Sequence, residues 1–314
     1  MKKVALFGAG AMGSNHARIV AQSNHSMLLA IIDPNPITGQ QLAMKYNCKW
    51  WSAIEDYSPF DYVIIASPTE VHFQDSYCAL KQQVPVLIEK PVSIDINETK
   101  ALLDLSREEN TPLMCGLVER FNPAVLTVEG IIEDVIGIYT TRHSPMIPRT
   151  KTDIDGDLLI HDLDICMRFM DSEPHTVQSS EYVNRRSGME IIDAMDVIAG
   201  FSGNRFANLS VSRLSHRKIR SLNLLERTRL IEVDLLRRDI TIYKNVNEES
   251  VEKRLSYRQQ TVIEIPSLIT NNEPLAAQLD YFVRLLDERN EVNIEEEKLR
   301  ILKLHQVLKQ IRRQ

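Results

Sequence analysis

The sequence lacks three features that would each point to a particular class of protein. No apolar run in its 314 residues approaches the roughly 20 residues that span a bilayer, so we expect no membrane segment. The formal net charge is −6 rather than positive, which argues against nucleic acid as the main partner. The four cysteines form no Cys-x-x-Cys pair and no histidine cluster accompanies them, so we predict free thiols and no metal site.

The first residues resemble a signal peptide, because Met1-Lys2-Lys3-Val4 joins positive charge to an apolar segment. Gly8, Gly10 and Gly13 interrupt that segment almost at once. A secretory signal needs an apolar stretch of about 7–15 residues, which is absent here. We therefore interpret residues 4–7 as a strand and expect a cytoplasmic protein.

The first 120 residues alternate apolar strand patterns with amphipathic helix patterns. Continuous apolar strands separated by helices predict a parallel sheet covered on both faces, and right-handed crossovers then give a doubly wound domain. The predicted strands cover residues 4–7, 27–32, 62–66, 84–88 and 112–118, and the predicted helices cover residues 14–22, 37–46, 71–82 and 96–109.

The pattern changes after Phe121-Asn122-Pro123. Short runs with a period of two predict an antiparallel sheet with one face exposed or covered by a partner. The fold class is therefore α/β. In this second part we predict a helix over residues 124–134, strands over 196–201, 205–213, 221–225, 229–235, 240–243 and 261–265, and closing helices over 274–287 and 295–311.

A glycine-rich loop follows the first predicted strand and opens the first predicted helix. In such a loop, one glycine makes the tight turn, one lets the backbone approach a pyrophosphate, and one lets helix and strand pack closely. The helix N-terminus adds N–H groups and a partial positive charge. The motif therefore predicts dinucleotide binding, and the residues concerned are Gly8, Gly10, Ala11, Met12 and Gly13.

Asp33 lies 20 residues beyond Gly13, at the end of the second predicted strand. An acid at this position accepts hydrogen bonds from an adenosine ribose and repels a 2′-phosphate. No arginine follows it in Pro34-Asn35-Pro36. We predict NAD as the cofactor, with NADP disfavoured; the alternative is a glycine turn beside a solvated aspartate.

Two further strand ends carry polar residues. The strand over residues 84–88 runs into Glu89-Lys90-Pro91, and the strand over residues 62–66 runs into Ser67-Pro68-Thr69, which precedes a helix containing His72. Ligands bind outside the carboxyl ends of parallel strands, so we expect these residues near a cofactor, with Glu89 as a charge partner of Lys90. Thr69 is a possible cap of its helix. For His72, a packing role is the alternative.

Asp157, His161 and Asp164 are spaced i, i+4 and i+7 in a segment that predicts a helix running to Met170. A carboxylate one turn away can orient an imidazole, and a neutral imidazole can take a proton from a hydroxyl group. A cationic Lys90 would stabilise developing alkoxide charge. These groups together suit alcohol oxidation with a nicotinamide cofactor, although His-x-x-Asp by itself is more typical of a capped helix with solvated acids.

With these motifs in this order and spacing, the chain resembles the Gfo/Idh/MocA oxidoreductase family. The resemblance implies a Rossmann domain over residues 1–120 and a substrate-binding and oligomerisation domain over residues 121–314, with an open, mostly antiparallel sheet. This domain division leaves open that the last helix packs back on the first domain. The resemblance also implies NAD(P)-dependent reactions of sugars or inositols in homodimers or homotetramers. By the same resemblance, Lys90 is expected to contact substrate and nicotinamide. His161 is expected to be the catalytic acid/base, and Asp157 the acid one turn before it.

The run from Gly116 to Pro123 resembles the UDP-N-acetylglucosamine 3-dehydrogenase group more narrowly. This resemblance implies a UDP-linked N-acetyl amino sugar oxidised at C3, with Arg120 and Asn122 near the substrate. Residues 152–156 depart from the expected glycine-rich pattern. A basic patch either meets a diphosphate or is a solvated strand edge, and its members are Arg213, Arg217, Lys218 and Arg220.

Two other functions remain open from the sequence. One is a dehydrogenase of a free sugar or inositol, and the other is a non-catalytic regulator that binds NAD and a metabolite, since one fold hosts many functions. An apolar sheet face on the second domain further predicts a homo-oligomer.

Overall fold

The computed structural model describes residues 1–146, 152–186, 189–249, 257–288 and 291–312, and it divides into two compact units. The first unit comprises Met1–Val118 with Glu273–Lys309, and the second comprises Glu119–Asn272 with Gln310–Gln314. The predicted second domain included both closing helices but allowed the last one to pack back on the first domain, and the structure groups residues 273–309 with the first unit.

The first unit contains a six-stranded parallel sheet of order β3-β2-β1-β4-β5-β6. Its central strands are apolar apart from Lys2 and Lys3 at the start of β1 and Glu89 at the end of β5, as expected for strands covered on both faces. All four residues of β4 and of β5, for example, are buried. The strands are β1 (Lys2–Phe7), β2 (Ser26–Ile32), β3 (Lys49–Trp51), β4 (Tyr62–Ile65), β5 (Val86–Glu89) and β6 (Leu113–Gly116).

Strand β3 was absent from the sequence prediction. It has three residues, begins with an exposed lysine and pairs with Ala30–Ile32 of β2 at the sheet edge. A run this short carries no periodic pattern, so only its pairing with β2 defines it.

Helices flank this sheet in the sequence order that the alternating pattern predicted. Asn35 and Asp95 cap α2 and α4 with side-chain acceptors, which fixes where those helices begin. Tyr62 of β4 packs edge-on against Phe282 of α7, which is fully buried. The helices are α1 (Ala11–Gln22), α2 (Pro36–Lys45), α3 (Thr69–Lys81), α4 (Ile96–Glu108), α7 (Pro274–Glu288) and α8 (Glu291–Ile311), the last two returning to this unit through Lys309.

The strand order reverses between β1 and β4. Such a switch point opens a crevice outside the carboxyl ends of the strands, where ligands of doubly wound sheets bind. The glycine loop follows β1 and Ser67 follows β4, so both flank this crevice.

The second unit contains an eight-stranded sheet of order β14-β13-β12-β11-β7-β10-β9-β8. Neighbouring strands are antiparallel except β7 and β10, which pair in parallel. The sequence prediction lacked β7 and β8. The strands are β7 (Val135–His143), β8 (Thr176–Arg186), β9 (Met189–Phe201), β10 (Arg205–Ser212), β11 (Ile219–Glu226), β12 (Arg229–Asp234), β13 (Asp239–Glu249) and β14 (Tyr257–Glu264).

One face of this sheet forms the core of the second unit. Its buried residues include Ile138, Val197, Leu209 and Leu222, whereas the residues that follow them in their strands are half-buried or exposed. The period of two in the sequence therefore predicted the buried face correctly. The helical segments are α5 (Pro123–Glu129) and α6 (Ile160–Met170), with a 3₁₀ turn at Val118–Phe121 and a π-helical turn at Asp155–Leu159.

Two absences concern the described residues alone. Within them, no helix is both long and apolar enough to cross a membrane. Across the same ranges, no group of three or more histidine, cysteine or acidic residues is placed to hold a metal ion. All four cysteines are free thiols.

Candidate active site

The glycine loop of the first unit leaves no room for side chains at two of its three glycines. A Cβ atom on Gly8, whose φ is +92°, would lie 2.4 Å from the carbonyl oxygen of Ala66. A Cβ atom on Gly13 would lie 1.9 Å from the carbonyl oxygen of Gly8. These two glycines therefore let the loops after β1 and β4 and the start of α1 pack against each other.

Gly10 differs from its two neighbours. A Cβ atom there would have no heavy atom within 4 Å, so the backbone at Gly10 is open to an approaching ligand. Helix α1 begins at the next residue, and its exposed first residues are Ala11 and Met12. The N–H groups of that first turn and the positive end of the helix suit the pyrophosphate of a dinucleotide. The residues present therefore fit the predicted cofactor.

Asp33 has a role that the sequence did not suggest. Its Oδ2 accepts a hydrogen bond from the backbone N–H of Ala9 at 2.6 Å, and its Oδ1 accepts one from Asn35 at 2.8 Å. The carboxylate thus ties the glycine loop to the end of β2. A cofactor ribose would meet an aspartate whose orientation two backbone donors already fix.

His72 links two strand ends of the first unit. It is 1% exposed, and its Nδ1 and Nε2 each lie 2.9 Å from a carbonyl oxygen, that of Pro91 and that of Ser67 respectively. The ring therefore connects the loops after β5 and β4. These contacts favour a bracing role over the predicted contact with cofactor.

Two other residues after β4, Ser67 and Thr69, have defined positions near the start of α3. Ser67 donates its hydroxyl hydrogen bond to Asp75 at 2.7 Å. Burial raises the pKa of the Asp75 carboxyl, although Ser67 and His72 oppose that effect. Thr69 is the first residue of α3 rather than its cap, since Pro68 occupies the N-cap position and the cap makes no side-chain hydrogen bond.

Lys90 follows the last residue of β5, as the sequence predicted. The preceding Glu89 is 8% exposed, and its Oε1 lies 2.7 Å from Nε2 of His16, which is 2% exposed. This buried pair joins α1 to the end of β5, and the sequence analysis missed His16. Its position three residues after Gly13, on the buried side of α1, was the available signal. The Lys90–Pro91 bond is cis.

In the second unit, Asp157 and His161 lie in different local structures. Asp157 belongs to the π-helical turn Asp155–Leu159, whereas His161 and Asp164 belong to α6. The predicted regular helix from Asp157 to Met170 is therefore wrong over its first turn. The wider turn removes the simple i, i+4, i+7 relation from which a shared face was predicted.

Asp157 makes an ion pair with Arg213. The Nη2 atom of Arg213 lies 2.9 Å from Oδ2 of Asp157, and the arginine is 3% exposed. Arg213 is thus an internal residue and not part of a basic surface patch. Arg217 and Lys218 remain exposed, and Arg220 is half-buried.

Arg120 and Asn122, the predicted substrate residues, make internal contacts. Arg120 donates Nε and Nη2 hydrogen bonds to the two oxygens of Asp164, each at 2.6 Å. The Asn122 side chain accepts from Ala124 at the start of α5 and donates to the carbonyl oxygen of Leu235 at 3.1 Å. Both side chains are nearly buried, which favours structural roles for them.

A buried charge network underlies α6. Arg142 is 1% exposed, and its guanidinium donates to Asp162 at 2.7 and 2.9 Å and to Glu119 at 3.0 Å. Arg220 also donates to Glu119, at 2.5 Å. Burial would raise the pKa of the Glu119 carboxyl, but the two arginines outweigh it and lower that pKa. Neither Arg142 nor Glu119 was among the site residues predicted from the sequence.

Lys218 precedes Arg220 by two residues, just before β11. The charge of Arg220 and then partial burial lower the pKa of the Lys218 ammonium. A lowered pKa caused by a cationic neighbour marks a place where positive charges are crowded, and a bound anion would relieve that repulsion.

The comparison with protein families matches the first unit. Residues 2–117 match the model described as the oxidoreductase family with an NAD-binding Rossmann fold, Gfo/Idh/MocA. This match covers the sheet of the first unit and the loops that carry the glycines and Lys90. It confirms the predicted Rossmann fold.

Curated relatives extend the match beyond those residues. A UDP-N-acetylglucosamine 3-dehydrogenase from Acidithiobacillus ferrooxidans is 27% identical over 247 residues, covering 77% of this chain and 76% of the relative. An inositol 2-dehydrogenase from Rhizobium meliloti is 28% identical over 190 residues, covering 57% of this chain and 58% of the relative.

The solved structures show the same fold over the whole chain. A UDP-N-acetylglucosamine 3-dehydrogenase structure from Acidithiobacillus ferrooxidans covers 99% of this chain and 96% of its own, with a TM-score of 0.85 and 24% identity. At that identity the likeness shows the fold alone. The chain is therefore similar to Gfo/Idh/MocA oxidoreductases: the family model matches its first unit, and a curated relative and a solved structure extend the similarity into the second unit.

Proposed function

We propose that the protein is an NAD-dependent dehydrogenase that oxidises a CH–OH group of a sugar. One observation carries the proposal. The glycine cradle at the switch point of the parallel sheet is open at Gly10, and Lys90 follows β5, the strand next to β4 in the same sheet. A phosphate cradle and a cation at the same edge of one parallel sheet suit a dinucleotide and the oxygen of an alcohol.

Each candidate residue has a distinct chemical role in this proposal. NAD, when bound, supplies the hydride acceptor. The glycine loop would hold its pyrophosphate, and Asp33 would accept hydrogen bonds from its adenosine ribose. The ammonium of Lys90 would stabilise the negative charge that develops on the substrate oxygen.

The second unit would supply the proton chemistry. His161 on α6 would accept the hydroxyl proton, and Asp157 would orient and tune that imidazole. We expect Lys90→Met and His161→Asn each to lower kcat about 100-fold or more while the unfolding midpoint stays near that of the parent protein. If both variants kept full activity, these assignments would be wrong.

The preference for NAD over NADP depends on Asp33. Because backbone donors already hold its carboxylate, a 2′-phosphate would meet a fixed negative charge. We expect NADH to bind at least about tenfold more tightly than NADPH in a fluorescence titration, and Asp33→Asn to narrow that ratio. Equal affinities in the parent protein would overturn the preference.

The finer proposal is a UDP-linked N-acetyl amino sugar oxidised at C3. Its support is the similarity to a 3-dehydrogenase of that substrate and the crowded cations Lys218 and Arg220, which suit a diphosphate. We expect Lys218→Ala to raise KM for a UDP-sugar about tenfold and to leave KM for a free sugar unchanged. Arg227→Ala, which alters an exposed arginine of the same unit, serves as the control.

The main alternative is a free sugar or inositol as substrate, which the similarity to an inositol 2-dehydrogenase favours. A screen of nucleotide sugars against free sugars and polyols, read by NADH absorbance, separates the two. If no alcohol is oxidised while NADH still binds tightly, the protein is a sensor of NAD and a metabolite instead.

We also propose that the outer face of the second sheet mediates a homodimer or homotetramer. Tyr139 and Ile198 lie on that face and are 39% and 57% exposed. Tyr139 on β7 and Ile198 on β9 both pair with Asn208 on β10, the strand between them. Their side chains therefore lie on one side of the sheet. We expect light scattering to show an oligomer that Ile198→Asp dissociates; a monomeric parent protein would refute this.

A further inference from the structure

We propose that Arg213 is a positioning residue that sets the orientation of the Asp157 carboxylate, a role that rests on the proposed function. From the sequence, Arg213 was grouped in a basic patch that either meets a diphosphate or is a solvated strand edge. The structure instead buries it in the second unit, where its guanidinium contacts the turn that precedes the His161 helix.

The guanidinium of Arg213 bridges three residues of the segment 152–157, which leads into the π-helical turn and contains its Asp157. Its Nη1 donates to the carbonyl oxygen of Thr152 at 2.7 Å. Its Nη2 donates to the carbonyl oxygen of Asp153 at 3.2 Å and to Oδ2 of Asp157 at 2.9 Å. A planar fork with several donors can hold a carboxylate and two carbonyl groups at once, which a lysine cannot do.

Arg213 itself contacts a buried carboxylate, that of Asp193. Asp193 is fully buried, and its Oδ1 lies 3.6 Å from Nη1 of Arg213. The backbone N–H of Arg213 donates to the carbonyl oxygen of Asp193 at 2.8 Å. Asn184 donates to the other carboxylate oxygen of Asp193 at 2.9 Å. Arg213 therefore has little freedom to follow a movement of Asp157.

The two side chains of the Arg213–Asp157 ion pair differ in their exposure to solvent. The side chain of Arg213 is 3% exposed, whereas that of Asp157 is 35% exposed. An ion pair between two exposed side chains contributes little and fixes little. Here a buried, immobile cation meets a carboxylate at the solvent boundary, so the cation determines where the carboxylate lies.

The local backbone explains why such a hold is needed. Asp157 lies in a π-helical turn, which does not place its side chain one regular turn before His161. Neighbouring residues of the segment are anchored as well. Asp155 pairs with Arg312, and Asp153 accepts a hydrogen bond from the backbone of Ile192. Arg213 pairs with Asp157 itself.

A double-mutant cycle tests the role. We expect Arg213→Ala to lower kcat/KM about 100-fold, because a displacement of about 1 Å at a reacting group has effects of that size. In an Asp157→Asn background the same change should lower kcat/KM less than threefold, since Asp157 is the group through which Arg213 acts. NADH affinity, a property of the first unit, should stay the same in all four proteins.

Two further measurements separate positioning from a general loss of structure. Guanidinium ion added to Arg213→Ala should restore part of kcat/KM. Arg213→Lys keeps the positive charge beside Asp193 and serves as the test if Arg213→Ala fails to fold. We expect its kcat/KM to remain well below that of the parent protein, because lysine lacks the planar guanidinium group. The matched control is the surface pair Arg185 and Glu190, whose side chains are 83% and 62% exposed, and its cycle should show no coupling in turnover.

Failure of this role and failure of the proposed function give different results. Fully multiplicative losses in the turnover cycle, with an active parent enzyme, would overturn the positioning role alone. The same four proteins are compared by urea unfolding, which needs no turnover, and absence of coupling there would refute the Arg213–Asp157 contact. A parent protein that oxidises no sugar or polyol would overturn the dehydrogenase proposal and the positioning role with it.

Discussion

The two units hold their candidate functional groups by different physical means. In the first unit, backbone geometry positions most of the candidate groups. Glycines at which a Cβ atom would collide with carbonyl groups shape the loops, and the strands end at one edge of a parallel sheet. In the second unit, buried arginines hold carboxylates, as Arg142 does for Asp162 and Glu119 and Arg213 does for Asp157.

This difference determines what substitution does in each unit. A backbone cradle fails when atoms are added, because there is no room for them. A buried ion network fails when one partner is removed, because the remaining charge stays out of water without compensation. The following changes test that contrast, beginning with the largest expected effect.

Arg142→Met should have the largest effect on stability. Removing one partner of a buried ion pair costs about 3–5 kcal/mol, because the remaining charge is left without compensation. Asp162, which is 2% exposed, would lose its guanidinium partner. Urea unfolding at neutral pH, with hydrogen exchange along β7 to localise the loss, measures the effect. Arg227→Met removes an exposed pair with Asp134 and should cost under about 1 kcal/mol; equal costs for the two variants would contradict this account.

Gly13→Ala should come next, with about 3 kcal/mol lost and NADH binding abolished. Its Cβ atom would lie 1.9 Å from the carbonyl oxygen of Gly8, so the loop or α1 must shift. Gly10→Ala is the matched control, since its Cβ atom would meet no heavy atom within 4 Å. We expect that variant to keep its unfolding midpoint and to weaken NADH binding. Similar midpoints for both variants would show that the cradle is not tightly packed.

His16→Phe should cost about 1–3 kcal/mol, because Glu89 would keep its burial and lose its imidazole partner. It should also lower turnover through the displacement of Lys90, the residue after Glu89. His25→Phe, at an exposed position of the same unit, is the control and should change stability by under about 0.5 kcal/mol. Unchanged stability and turnover in His16→Phe would leave the pair without a role in holding β5.

The same contrast explains which features the sequence revealed. The parallel sheet, the glycine loop and the position of Lys90 depend on local patterns: continuous apolar runs, glycine spacing and the residue that follows a strand. Those patterns are short and local, so they predicted the parallel sheet of the first unit except for the short edge strand β3. Strands β9 to β14 of the second unit were predicted for the same reason, whereas β7 and β8 were missed.

The contacts that hold the second unit's candidate residues could not be predicted in that way. Glu119 and Arg220 are 101 residues apart, and Arg213 and Asp157 are 56 apart. Nothing in a local window indicates which arginine becomes buried and which stays in solvent. The π-helical turn at Asp157 was missed as well, because helical periodicity presumes a regular helix. Both closing helices joined the first unit through long-range packing such as that between Phe282 and Tyr62.

The smallest expected effect concerns pH and Glu119. Burial would raise the pKa of this carboxyl, but Arg142 and Arg220 outweigh it, so its folded pKa lies below the ordinary value of 4.5. A carboxyl with a lowered folded pKa stabilises the protein above its unfolded pKa, and that contribution is lost as the pH falls through the folded pKa. Burial raises the pKa of Asp162, which gives the opposite slope, and the charge of Glu119 raises it further, so repulsion from Asp162 offsets part of the Glu119 contribution.

Glu119→Gln removes the titration while keeping a side chain of similar size. The free-energy difference between the parent protein and this variant should therefore be largest near about pH 6 and should shrink toward about pH 3, measured by urea unfolding at a series of pH values. Glu181→Gln, at an exposed position of β8, controls for the loss of one negative charge. A difference that stays constant or grows on acidification would mean that the two arginines do not hold Glu119 in its charged form, and the second unit would then not depend on its ion network in the way that the contrast with the first unit requires.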